Sequence, residues 1–243
     1  THINKTKKAY SESENSLLFL GIFQDKNLNP QQRTLDDTLG NRLSAAMKLD
    51  GFIGKKEEQI HIFGNEVNNR IVLIGLGIQK NYTSDQARSV ASNITRFSTD
   101  VKNADFSVDG DSFALKKNIF AQAFAEGLVL GSYEFNDYKT KKDDSVKASS
   151  ITMYGKVDAK SLDKGAILGA SVGFARDLGN HPANILTPTY LARTAQKISD
   201  NSPKMNCQIF DGKEFKKMGM GAFHGVAMGA AEPAKMIIVE YNG

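Results

Sequence analysis

The sequence predicts an α/β protein with a largely parallel sheet in its first part. Three observations carry this. Segments with strand and helix periodicity alternate along all 243 residues. The run Arg70-Ile71-Val72-Leu73-Ile74 is apolar without alternation, as in a strand buried on both faces. Helix starts are marked by Thr83 with Gln86 and by Thr187-Pro188, pairs whose side chains satisfy the first turn of a helix.

Taken in order, residues 1–14 are polar and lysine-bearing (Lys5, Lys7, Lys8) and read as a frayed arm. Ser16 to Phe23 has the length and apolarity of a strand. Residues 27–33 read as a loop around Pro30. Leu35, Leu39, Leu43 and Met47 recur every four residues and predict one helix with a buried stripe, weakened by Gly40. Ile60–Phe63 and Arg70–Ile74 are strands, the second closed by Gly75-Leu76-Gly77. Ala87, Val90, Ala91, Ile94, Phe97 and Val101 then follow helical spacing. A weaker strand at Ala104–Val108 precedes a second strong helix marked by Ile119, Phe120, Ala123, Phe124, Gly127 and Leu128. Residues 137–147 are a charged loop, and Ser150–Tyr154 is a strand.

The texture changes at the polar segment 155–164, a boundary. Ala166, Ala170, Phe174 and Leu178 predict a helix that bridges two parts of the chain. His181-Pro182 ends it, because the residue before proline is pushed from the helical region. A helix from Pro188 to about Ser199, a strand at Met205–Phe210, a short helix opened by Asp211 with Glu214, and a strand at Lys235–Tyr241 complete the chain. A strong strand two residues before the last residue reads as an interruption.

A chain of this length buries roughly 70–75% of its extended surface, enough for a real core. Hydrophobic residues make up 40% and charged residues 24%, which excludes a disordered or collagen-like chain. Cys207 is the single cysteine, so an intrachain disulfide and a cysteine-rich zinc cluster are excluded. The formal charge of +4, from 31 basic and 27 acidic residues, does not call for a nucleic-acid partner. No apolar stretch reaches the roughly 20 residues of a membrane-spanning helix, and no signal peptide is visible.

Residues able to carry chemistry are scattered. Gly75-Leu76-Gly77 follows a strand, but Lys80 stands where a dinucleotide motif needs its third glycine, which favours a plain strand-to-helix turn. The four histidines, His2, His61, His181 and His224, show no helical zinc spacing, and none has a partner that sequence can name. Cys207, expected within a strand, reads as an inert buried thiol. Asp143, Asp144, Asp211, Glu214 and Glu232 suit caps and solvated faces. Glu240, on a strand, is the one carboxylate with a functional alternative, and the structural role is preferred. Lys139, Lys141 and Lys142, balanced by Asp143 and Asp144, read as a solvated loop. Unaided, these residues give a two-part α/β protein without a complete active site.

The segment from Ala175 through Asp177-Leu178-Gly179-Asn180-His181-Pro182-Ala183-Asn184 to Thr187-Pro188 resembles the leucyl aminopeptidases, two-metal cytosolic exopeptidases. Lys217-Met218-Gly219-Met220-Gly221, Val226-Ala227-Met228-Gly229 and Ile238-Val239-Glu240-Tyr241 continue the likeness. Ala125-Glu126-Gly127-Leu128, Tyr138 to Lys142, and Val72 to Gly77 extend it toward the start, in the family's order. His181 within the Asn-x-Pro block and Ala230 after Met228-Gly229 depart from the family's pattern.

The resemblance implies a macro-domain-like α/β domain over residues 1–157. It implies a connecting helix from Ser161 to Leu178, and the start of an incomplete catalytic domain within 158–243. For the parent protein it implies cytoplasmic hydrolysis of the N-terminal residue of peptides, two divalent ions (zinc or manganese), and a homo-oligomer, usually a hexamer. The family's metal-binding and catalytic residues follow the strand at Lys235–Tyr241. No catalytic or metal-binding residue is therefore assigned in this chain, and its substrate-binding residues are undetermined. The chain alone is expected to be inactive, with an apolar, association-prone surface. The alternative is a regulatory module without catalysis, holding a nucleotide or ADP-ribose-like ligand near Gly75-Leu76-Gly77, or DNA.

Overall fold

A computed structural model describes residues 2–6, 8, 15–64, 70–141 and 146–243. Its first strand, β1 (His2–Thr6), corrects the expectation of a frayed arm there. It pairs in parallel with Ser150–Tyr154, in register from His2 opposite Ser150 to Thr6 opposite Tyr154. Backbone pairing needs no apolar side chain, and within β1 only Ile3 packs against the core, so composition conceals the strand. Arm residues 1, 7 and 9–14 lie outside the described residues.

The run Leu17–Ile22 forms β2, buried at every position. Its side chains alternate between two cores: Leu17 and Phe19 join one, Leu18, Leu20 and Ile22 the other. The expected loop over 27–33 and the single helix after it are both corrected. Asn29 caps a helix, α1 (Pro30–Thr38), with Gln32 completing a capping box and Pro30 at the first position. The stripe Leu35–Met47 spans two helices, because Gly40 (φ 66°) and Asn41 (φ 62°) turn the chain into α2 (Arg42–Leu49). Leu35, Leu39 and Leu43 share one core all the same, so their spacing survives the break.

Asn41 does not cap α2 with its side chain. Buried Asp36 does so from the preceding helix, its Oδ1 accepting the N–H groups of Leu43 at 2.7 Å and Ser44 at 3.3 Å. Both are first-turn donors that would otherwise be orphaned. Asp36→Ala should therefore cost about 1–2 kcal/mol, with Asp36→Asn recovering part of it. Urea unfolding of the three chains checks this.

Gln59–Phe63 (β3) and Arg70–Gly75 (β4) follow, then α3 (Ser84–Asp100), β5 (Asp105–Asp109), α4 (Asn118–Gly131), β6 (Ser150–Tyr154) and α5 (Ala159–Asn180). Thr83 opens α3 through the capping box with Gln86 that its sequence predicts. The six-stranded sheet runs β1-β6-β5-β2-β4-β3. Its pairings are parallel except that between β3 and β4. Helices α3 and α4 cover one face, α1 and α2 the other. Small residues let α3 and α4 approach closely: a Cβ on Gly127 would stand 2.1 Å from the Arg88 carbonyl oxygen. Arg88 also pairs with Glu126 across the two helices at 3.1 Å.

These elements belong to a compact unit ending at Ala175, and α5 carries the chain into a second, Arg176–Gly243. There Thr187 caps α6 (Pro188–Asp200), and its Oγ1 accepts the Tyr190 N–H at 3.2 Å. Strand β7 (Met205–Asp211) pairs antiparallel with β8 (Lys235–Tyr241). Between them lie α7 (Gly212–Lys217) and α8 (Gly221–Ala227). Asp211 and Glu214 form the capping box of α7 that their spacing predicts. Among the described residues, no helix is long and apolar enough to cross a membrane.

Candidate functional site

In an open parallel sheet, ligands enter where neighbouring strands send their connections to opposite faces. That holds between β2, which leads to α1, and β4, which leads to α3, and equally between β2 and β5, which leads to α4. The carboxyl ends of β2 and β5 meet a polar cluster. Asp109, the last residue of β5, is fully buried. Its Oδ2 accepts Asn29 Nδ2 at 3.3 Å and Gln32 Nε2 at 3.4 Å, both from the start of α1. Its Oδ1 is buried with no hydrogen-bond partner. Burial, first of all, pushes the Asp109 carboxyl up to about 6; the Asp111 charge adds to this, and bonds from Asn29 and Ser112 oppose it.

The chain itself fills this crevice. The Gly21 N–H, at the end of β2, donates to Ser112 Oγ at 2.8 Å, and Ser112 Oγ donates to the Asp109 carbonyl at 2.7 Å. Gln32 Nε2 also reaches the Gly21 carbonyl at 3.2 Å. A phosphate here would meet a backbone donor already engaged and a carboxylate of its own sign. Asp109 carries no motif. Its only signal in the sequence is a strand ending in Asp-Gly-Asp, which marks a turn and says nothing of burial.

The Gly75-Leu76-Gly77 turn is equally committed. Gly75 N–H donates to the Glu58 carbonyl at 2.8 Å, Leu76 N–H to Ile22 at 2.9 Å, and Gly77 N–H to Gly54 at 2.9 Å. Three amides bonded to backbone make a structural turn and no phosphate cradle. A short 3-10 helix, Gln79–Asn81, separates it from α3.

The four histidines lie apart along the chain, three on separate elements and one just after a helix. His2 is exposed on β1, and His61 lies on β3, its ring edge-on to Phe97 at 4.9 Å and its Nε2 2.8 Å from Gln59 Nε2. Burial, then the Arg70 charge, holds the His61 imidazole below its ordinary value, so it is neutral at pH 7. His181 follows α5 with its ring 6.0 Å from Tyr190, and His224 on α8 lies 6.0 Å from Phe215. Among the described residues, no three His, Cys, Asp or Glu side chains gather as a metal group.

Cys207 is only half-buried on β7, which corrects the expectation of a fully buried thiol. Glu240 is exposed on β8 and accepts Asn206 Nδ2 at 3.4 Å, across the β7–β8 pair. Glu232 is exposed as well. Lys139 and Lys141 are exposed, while Lys142, Asp143 and Asp144 lie outside the described residues.

Comparison with known proteins supplies what the geometry does not. Residues 19–142 match the family model described as the cytosol aminopeptidase family, N-terminal domain. Residues 173–243 match the catalytic domain of the same family. A probable cytosol aminopeptidase of Sulfurihydrogenibium sp. is 31% identical over 249 aligned residues, covering 99% of this chain and 49% of its own length. A mutant of tomato leucine aminopeptidase superposes with a TM-score of 0.83 at 27% identity, covering 98% of this chain and 50% of its own. The bottromycin maturation enzyme BotP in complex with Mn shares the fold, with a TM-score of 0.72 at 19% identity over 93% of this chain and 45% of its own. The chain thus spans about half the length of the relatives it matches.

Proposed function

Because the chain belongs to the cytosol aminopeptidase family, carrying its N-terminal domain and part of its catalytic domain, we propose that it is the N-terminal portion of a metal-dependent enzyme that removes the first residue from peptides. The observation that carries this is the order of the two matches: one family's N-terminal domain, then its catalytic domain, over most of the chain. The relatives are named aminopeptidases and none of those compared above is named a regulator, so the ligand- or DNA-binding alternative yields. The filled crevice at Asp109 and the committed Gly75–Gly77 amides count against it too.

We assign residues 1–157 to the N-terminal domain, and 158–243 to the connecting helix with the first part of the catalytic domain. The end of β6 at Tyr154 and the start of α5 at Ala159 support that boundary. The parent enzyme would act on peptides with a free N-terminus in the cytoplasm, as a homo-oligomer, a hexamer by family. It would use two divalent ions, zinc or manganese, to polarise the scissile carbonyl and activate a water. The described residues do not fit such a centre, since they hold no cluster of three ligand-type side chains. No chemical step is assigned to them.

The second unit supports an incomplete catalytic domain. Val226 is 88% exposed, Met228 73% and Tyr241 64%, and β7 and β8 form a sheet of only two strands. Such apolar surface beside open strand edges invites further chain.

The test is leucine release from an N-terminal leucyl peptide. A protein extending this chain with the family's remaining catalytic segment should release leucine when supplied with Mn or Zn, and a chelator should stop it. The 243-residue chain alone should release none. Absence of release by the extended protein with either metal overturns the proposal.

A further inference from the structure

Where the first unit ends, helix α5 is uncharged on every side: from Gly165 to Ala175 it carries no charged residue. A helix of that composition is a buried one, covered all round. One flank is covered. Gly165 and Gly169 press on α4 so closely that a Cβ would stand 2.1 Å from the Gln122 carbonyl oxygen at the first and 2.8 Å from Val129 Cβ at the second. The opposite flank, read at helical spacing, is Ile167, Leu168, Ser171, Val172 and Phe174. All of these are exposed, Ile167 at 66% and Phe174 at 43%.

The chemistry of this flank fits a dry cover. Ser171, its polar side chain, donates to the Ile167 carbonyl at 2.8 Å and so needs no acceptor from a neighbour. A nucleic acid or a charged peptide would find no counter-charge here. A second copy fits poorly too, because a stable dimer engages roughly 20–30 residues a side, far more than this flank offers. A covering segment of the same polypeptide needs less area, since it is tethered and gives up little translational freedom.

The family match points to one such segment. The catalytic-domain match begins at residue 173, inside α5. Phe174 thus lies within that domain, and Ile167 stands two turns before it on the same line of the helix. The relatives extend for about as many residues again as they share with this chain. We propose that the exposed flank of α5 is the seat of the remaining segment of the catalytic domain. One helix then serves two cores, packing on α4 through its glycines and on the catalytic domain through Ile167, Leu168, Val172 and Phe174. This rests on the parentage proposed above.

Thiol labelling reads the cover directly. Ile167→Cys and Phe174→Cys, each with Cys207→Ser so that one thiol remains, should react freely with iodoacetamide in the 243-residue chain. In the protein extended with the family's remaining catalytic segment, both should react at least about tenfold more slowly. Asp100→Cys, at the exposed end of α3, should react alike in the two proteins. Equal rates at both α5 positions overturn the proposal. So does slow labelling in the 243-residue chain, which would mean that the flank is covered already. Protection that vanishes as the extended protein is diluted to monomers assigns the flank to a second copy and overturns it as well. Leucine release by the same samples keeps the two readings apart: release without protection fails the seat alone, and protection without release fails the enzyme alone.

Discussion

Replacing Gly75 with alanine should destabilise the first unit by roughly 3–5 kcal/mol, the cost of overpacking against a backbone that cannot yield. A Cβ there would stand 1.9 Å from the Lys55 carbonyl oxygen, 2.9 Å from the Gly54 carbonyl carbon and 3.0 Å from that of Lys55. The 54–58 segment has no route of retreat. Gly75 and Gly77 N–H groups bind it at Glu58 and Gly54, and the Glu58 carboxylate holds Lys55 from within. Relief requires breaking several of these bonds or displacing β4 from the sheet. Gly179→Ala is the control: it is helical, exposed and meets nothing within 4 Å, so it should gain about 0.5–1 kcal/mol. Urea midpoints for the two variants decide the matter. A loss below about 1 kcal/mol in Gly75→Ala would show that the turn adapts.

The same turn shows what sequence could and could not convey. A glycine pair after a strand is visible at once, but its cause is a loop about 20 residues upstream in the chain, which periodicity does not reach. The double burial of β4 was legible, because an apolar run without alternation leaves neither face of the strand fit for water. The helices α3 and α6 were legible from their caps, which act within four residues. By contrast β1 consists mostly of polar residues, and it is a strand only because β6 offers its backbone in register. The break between α1 and α2 escaped the four-residue spacing for a related reason. Leu35, Leu39 and Leu43 meet one core from either side of a turn, so the stripe continues past the end of the helix.

Function followed the same division. The block from Asn180 to Pro188 pointed to the family that the comparisons show, while no spacing among histidines or carboxylates did. Tyr82 and Asp109, which with Arg88 hold a buried polar atom without a hydrogen-bond partner among the described residues, carry no motif at all. Each is defined by what surrounds it: the rings of Phe23 and Phe120 for the one, and the ends of two strands with the start of a helix for the other. A buried unsatisfied oxygen is a property of the packed fold, so it becomes visible only there.

Asp109 should also give the first unit a pH dependence of the unusual sign. Its carboxyl titrates near 6 in the folded chain against 3.8 as a free side chain. Between those values the folded state holds a proton that the unfolded state has lost. Stability therefore falls as pH rises from about 4 to 6, then levels off, for a total of roughly 2–3 kcal/mol. The usual carboxylate, stabilised by partners in the folded state, gives the opposite slope. The physical cause is first the burial of the carboxyl, whose charged form loses water with Oδ1 unpartnered, and then the charge of Asp111, while Oδ2 keeps the Asn29 and Gln32 amides. Asp109→Asn removes this titration and leaves the others in place. The difference in unfolding free energy between wild type and Asp109→Asn should thus shift toward wild type by roughly 2–3 kcal/mol on going from about pH 7 to pH 4. Urea titrations of both chains across that range measure it directly. A difference that stays constant with pH would mean that water or a neighbouring donor reaches Oδ1 in solution, and that the crevice between β2 and β5 is less tightly filled than its hydrogen bonds indicate.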